Sequence, residues 1–294
     1  MSSVYEKITY IFDPLHHRWE HEKMHRKISI TLVLLFLLGL VCIELNRRQL
    51  LPGSLEQIVP RNHFFAVQAA FTAVLILEVI SLVFTIPCSF SKSVGKQFEI
   101  LSLILMRNAF KELSGFAEPI TFAGNERAVL HILSDGFGAL LVFAALGWYY
   151  IVQARGSEEK MQPVDLYSFV AAKKGIALVL LMVFAGMGLH SAFATVAGIP
   201  HTDFLHNFYT ILILSDILIV LISQCFQPSF YAVFRNSGYA LSTLIMRLAL
   251  AAPPFFNVLL GLAAALFAIS LTYASRTLFA KKLADKKHLS NILN

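Results

Sequence analysis

One passage of this chain occurs twice, and each copy ends on an arginine set within apolar sequence. Ser89 to Arg107 reads SFSKSVGKQFEILSLILMR, and Ser229 to Arg247 reads SFYAVFRNSGYALSTLIMR, with no gap in the alignment. The echo extends upstream, where Phe71 to Glu78 (FTAVLILE) matches Tyr209 to Asp216 (YTILILSD). Each copy therefore places one carboxylate ahead of one arginine. A duplication of this kind restricts the chain to two versions of one topology, and it marks the duplicated charges as the residues to follow.

The sequence around those charges belongs in a bilayer. Charged residues make up 14% of the chain and hydrophobic ones 57%, against about 25% charged in a typical soluble domain. The mean hydropathy of +0.67 agrees. At about 1.5 Å per helical residue and about 30 Å of hydrocarbon, eight stretches are long enough to cross: 28-46, 64-87, 97-114, 129-152, 174-196, 206-226, 237-252 and 254-275. The expected fold is an all-α integral membrane protein of eight transmembrane helices in two parallel four-helix repeats. A repeat unit with an even number of spans keeps both copies in one orientation.

Lysine and arginine set that orientation, because short cytoplasmic loops retain them. With the N-terminus inside, seventeen lie on the cytoplasmic side, mostly in the N-terminal segment, the central connection and the C-terminal tail. Arg47, Arg48, Arg61, Lys111 and Arg127 lie opposite, while Arg107 and Arg247 fall within spans. Both termini are expected in the cytoplasm and the chain in the inner membrane. The domain reading is a cytoplasmic amphipathic segment at 1-27, a first unit at 28-152, a linker at 153-173, a second unit at 174-275 and a basic cytoplasmic tail at 276-294. The net charge of +6 reflects topology and attraction to anionic lipid, not nucleic-acid binding. The first apolar run follows a charged segment and reaches full spanning length, so it reads as a span and not a cleavable signal. Cys42, Cys88 and Cys225 are scattered in or near spans and read as small buried hydrophobes.

A charge at the bilayer centre costs at least about 2.5 to 3.5 kcal/mol on insertion scales, so such groups turn inward and pair. Arginine stays protonated and its planar fork can engage one or two carboxylates. Counting from helix ends puts Glu78, Arg107 and Asp135 at similar depth, and laying Asp135 over Asn257 aligns the fourth helices of the halves. The first half then offers a Glu78, Arg107, Asp135 cluster and the second offers Asp216, Arg247 and Asn257. Three readings stand: a clamp fixing helix register, a polar path for protons or small ions, and a lipid or quinone site.

An acid on the second span (Glu78), a basic turn, an aromatic-containing stretch ending in Met-Arg (Phe98 to Arg107) and an acid early in the fourth span (Asp135) resemble the phosphate-starvation-inducible PsiE-like membrane family. The resemblance implies a compact four-helix membrane unit, here in tandem, whose second half departs from the pattern at Asn257. It implies fold and location and no particular chemistry.

Histidines supply further candidates. His17, His21 and His25 recur every four residues beside Glu20 and Glu22, a spacing that suits a divalent metal. They follow an amphipathic N-terminal segment (Val4, Ile8, Ile11, Phe12, Leu15, Trp19) that Asp13-Pro14 is expected to interrupt. His131, His190 and His206 lie near outer helix ends, and a b-type haem would need two of them facing, with His190 and His206 the pair to test. Gly186 and Gly188 and the alanine-rich last span suggest close helix packing. No Walker loop, GxGxxG or HExxH is present, and no connection is long enough to house a membrane enzyme's active site. The expected function is non-catalytic, a membrane component of the PsiE-like type that is either a proton or ion path built on the duplicated charges or a stress-linked membrane factor. The alternative is a structural or accessory subunit that binds partner proteins, lipid or a redox cofactor. No cofactor is assigned; the bilayer, a membrane-protein partner and a second copy of the chain are the expected partners.

Overall fold

The computed structural model describes residues 2-50, 52, 59-116, 120-154, 163-196 and 204-275. Among these are nine α-helices and no strand: α1 Ser2–Glu20, α2 Glu22–Arg47, α3 Phe64–Thr85, α4 Phe90–Lys111, α5 Glu126–Ala154, α6 Pro163–Val196, α7 Phe204–Phe226, α8 Phe230–Ala251 and α9 Phe256–Tyr273. Six of them, α2, α3, α5, α6, α7 and α9, are long and apolar enough to cross a membrane. The tail at 276-294 lies outside the described residues.

Three helices begin earlier than apolarity predicts. The duplicated passage opens with Ser-Phe, and Ser89 and Ser229 are the N-caps of α4 and α8, both extended at φ −61° and −64°. The Ser229 hydroxyl accepts from the Ala232 amide at 3.3 Å, as capping serines do. The polar residues that follow, among them Lys92, Lys96 and Arg235, therefore ride on helix and not on loop. Likewise α6 starts at Pro163, a residue suited to a helix's first turn, so residues 163-173, read as linker, are helical.

The halves do not form separate bundles. One core joins α4 and α5 to α8 and α9 through Phe98, Leu101, Val142, Tyr149, Tyr239 and Met246. A second joins α1 and α3 to α6 and α7 through Phe12, Val83, Phe84, Leu180, Phe208 and Leu212. Helix α2 packs on α3 and α1 at the edge. Ala264, Ala265 and Ala268 of α9 are fully buried, in keeping with the alanine-rich reading. Gly186, expected to ease packing, has nothing near it. The close approaches fall at Gly95 against Tyr150, Gly138 against Val258 and Gly238 against Leu271.

The N-terminal helix also departs from expectation. Asp13-Pro14 does not break it; α1 runs through Pro14 to Glu20. A proline removes one helical hydrogen bond and crowds the preceding turn, and here tertiary contacts on both sides hold the helix through it. Phe12 is buried against Phe84, Asp13 pairs with Lys174 at 2.6 Å, and the Trp19 indole donates to Ser81 Oγ at 3.1 Å. The break falls at His21 instead.

Candidate functional site

The six charged and polar residues singled out from sequence form three pairs rather than two clusters. Glu78 on α3 pairs with Arg107 on α4. At the matching positions of the second half, Asp216 on α7 pairs with Arg247 on α8, both Nε and Nη2 lying 2.8 Å from Oδ2. The Thr243 hydroxyl, one turn before Arg247, stands 3.1 Å from the same oxygen. An arginine sharing one carboxylate oxygen between two nitrogens is held in a fixed orientation.

Asp135 and Asn257 belong to neither cluster. Asn257 Nδ2 donates to Asp135 Oδ1 at 2.7 Å, joining α5 to α9 and so one half to the other. Both side chains are buried, at 1% and 3% exposure. Helical depth alone put Asp135 level with Arg107, but it says nothing about which face the residue occupies. The face that carries Asp135 also carries Gly138, and that face meets α9.

Lys173 is a residue that sequence reading missed. Counted in the linker, it sits on α6 with 3% exposure. Its ammonium donates to the Cys88 carbonyl at 2.5 Å and lies 4.7 and 4.8 Å from the rings of Phe90 and Phe169, which supply cation–π stabilisation in place of a carboxylate. The available signal was the setting of the Lys173-Lys174 pair, flanked by PheValAlaAla and GlyIleAlaLeu at helical period. Lys174 turns out to Asp13 and Lys173 turns in.

Lys173 and Asp216 border one interior cavity of about 20 Å³, together with Ser93, Gln97 and Thr243. About 10–15 Å³ suffices for one water where polar partners are present, so the space and its lining suit a single bridging water. On its other side Asp216 lines a groove of about 320 Å³ between α7 and α8, which holds Gln224 and Ser237 among aliphatic side chains. One carboxylate is thus reached from the helix interior and from the flank.

The histidines do not converge. Because α1 ends at Glu20, His21 caps α2, its Nδ1 accepting from the Lys23 amide at 3.2 Å. His17 and His21 rings are 6.2 Å apart edge to face, and His25 lies against Trp19 instead. Among the described residues no three His, Cys, Asp or Glu side chains are grouped to hold a metal. His131 faces Glu112 at 3.3 Å and the Phe255 ring. The side chain of His206 lies outside the described residues, so the His190–His206 pair is not assembled among them. The three cysteines are free; Cys42 and Cys225 are exposed on the helix surface instead of buried.

Helices of this length and apolarity, with acid–arginine pairs on their inner faces, define an all-helical membrane protein. No protein-family model, no curated protein and no solved structure matches the chain.

Proposed function

We propose that this protein is a non-catalytic, eight-span inner-membrane protein of the PsiE-like type that carries protons through its second half, by way of Asp216. The observation that carries the reading is the position of Asp216, which borders both the Lys173 cavity and the α7–α8 groove. A carboxylate reached from two sides can take a proton from one and release it to the other. Arg247 holds it in place through Oδ2. Single arginines cannot give steep voltage sensing, since one full charge crossing gains only about 2.3 kcal/mol per 100 mV.

The eight-span count rests on α4 and α8. Part of their polar surface faces neighbouring helices: Gln97 and Ser102 in α4 and Asn236, Ser242 and Thr243 in α8 are all buried. A helix shielded by others crosses a bilayer without an apolar surface of its own. Two parallel repeats fit the meeting of Asp135 with Asn257. A two-fold relation places each position opposite its own counterpart at the axis, and these two are counterparts in the repeat. Lysine and arginine distribution supports cytoplasmic termini.

An accessory or architectural role is the second reading, and the Glu78–Arg107 pair favours it, because neither of the spaces that Asp216 borders reaches Glu78. The two readings part in proton flux through liposomes holding the purified protein. Asp216→Asn and Lys173→Gln are expected to abolish the flux, whereas Glu78→Gln leaves it standing. Flux no greater than in empty liposomes, or full flux with Asp216→Asn, would remove the path and leave the pairs as architecture.

A further inference from the structure

Beyond the proton path, the structure holds a polar niche in the first half, at the far ends of α3 and α4. Gln68 in the second turn of α3 and Arg107, Asn108 and Lys111 at the end of α4 surround a cavity of about 60 Å³, with Thr72 beside them. Phe71, stacked on Phe110 at 5.6 Å, forms an apolar wall. The niche lies at the ends of both helices farthest from the turn that joins them, which is the depth of lipid head groups in a spanning helix pair.

Its charge is defined by its neighbours. Arg107 is neutralised by Glu78, and the adjacent Glu112 is turned to His131 at 3.3 Å. Lys111 has no carboxylate within ion-pair distance among the described residues, so the charges of the described lining sum to one positive. Its polar lining is dominated by donors: a guanidinium, an ammonium and two amide side chains. The preferred ligand has one negative charge and only acceptors.

The fold does not require these residues. Continuing the repeat register past Arg107 and Arg247 lays Asn108 over Leu248 and Lys111 over Ala251. The α7–α8 pair keeps the same acid–arginine contact with apolar residues at these positions. Asn108 and Lys111 are thus additions of the first copy, whereas Thr72 keeps a counterpart in Thr210 and Gln68 falls opposite His206; the two added side chains point to a ligand of the first half.

We propose that this niche binds the phosphodiester head group of a membrane phospholipid, with Lys111 supplying the charge and Arg107, Gln68 and Asn108 hydrogen bonds. A phosphodiester carries one negative charge and no donor, which matches the lining.

The test is native mass spectrometry of the full chain in detergent with phosphatidylglycerol, with diacylglycerol lacking the phosphate, and with inorganic phosphate. The variants are Asn108→Leu/Lys111→Ala, which copies the second half, and Lys111→Gln, which alters an exposed side chain only. Wild type is expected to retain phosphatidylglycerol about tenfold more strongly than the double variant, a loss of the size expected for a charge-assisted hydrogen bond. Lys111→Gln is expected to fall between them and diacylglycerol to bind all three equally poorly. Equal phosphatidylglycerol retention by wild type and both variants would overturn the proposal. So would binding of inorganic phosphate with no preference for the lipid, which would assign the niche to the free ion.

Discussion

Replacing Arg247 with methionine is expected to destabilise the protein by about 3–5 kcal/mol, the range for removing one partner from a buried ion pair. Arg247 is 3% exposed and gives Asp216 two nitrogens at 2.8 Å. Methionine fills much of the space and leaves the carboxylate with the Thr243 hydroxyl alone. The loss arises from the orphaned charge, so a second substitution separates it from packing. Asp216→Leu/Arg247→Met removes both charges and is expected to recover most of the stability, since apolar replacements of buried pairs are often neutral. Unfolding in mixed detergent reads both. A single variant as stable as wild type would mean that Asp216 reaches enough water to need no partner, and the interior placement of the pair would be wrong. The double variant also serves the functional question, because a folded protein without Asp216 must carry no protons if that residue is the carrier.

The residues legible in the sequence were those whose chemistry is costly in a bilayer. Glu78 with Arg107 and Asp216 with Arg247 were matched correctly, because duplication gave the register and the expense of a lone charge gave the pairing. Six of the eight expected spans were legible too, since apolar length is a direct requirement of the bilayer. Helix starts were less so. A hydropathy reading of α4 begins where the polar residues end, yet a helix begins where its first amides are capped, at Ser89 and Ser229.

Relations between non-neighbouring helices were not legible. Asp135 was assigned to Arg107 from depth alone, and its partner proved to be Asn257, in the other half. Lys173 was counted with surface cations because a lysine pair at the edge of a span is ordinarily solvated, and nothing local reveals that Phe90 and Phe169 close over one of the two. The histidine series failed for a backbone reason. Four-residue spacing makes one face only within one helix, and the chain leaves the first helix and caps the second at His21. Proline 14, the expected break, is overridden by the burial of Phe12 next to it.

Substituting valine for Gly138 is expected to open the seam between the halves, at a cost of about 2–6 kcal/mol. A Cβ at this position would run into both γ-methyls and the Cβ of Val258, and overpacking of this kind costs about 1–3 kcal/mol. Asp135 stands three residues earlier on the same face of α5, and Asn257 immediately precedes Val258. Any outward shift of α9 that relieves the collision also stretches the 2.7 Å bond between Asp135 and Asn257, and leaving those buried groups unpaired adds about 1–3 kcal/mol. Val258→Ala removes the two γ-methyls, so Gly138→Val/Val258→Ala is expected to restore much of the loss, while Val258→Ala alone costs only its cavity. Compensation of that sign in a double-mutant cycle marks direct contact. If Gly138→Val unfolds at the wild-type point, or if Val258→Ala adds to its loss, α5 and α9 do not meet at this glycine, and the join between the halves through Asp135 and Asn257 falls with it.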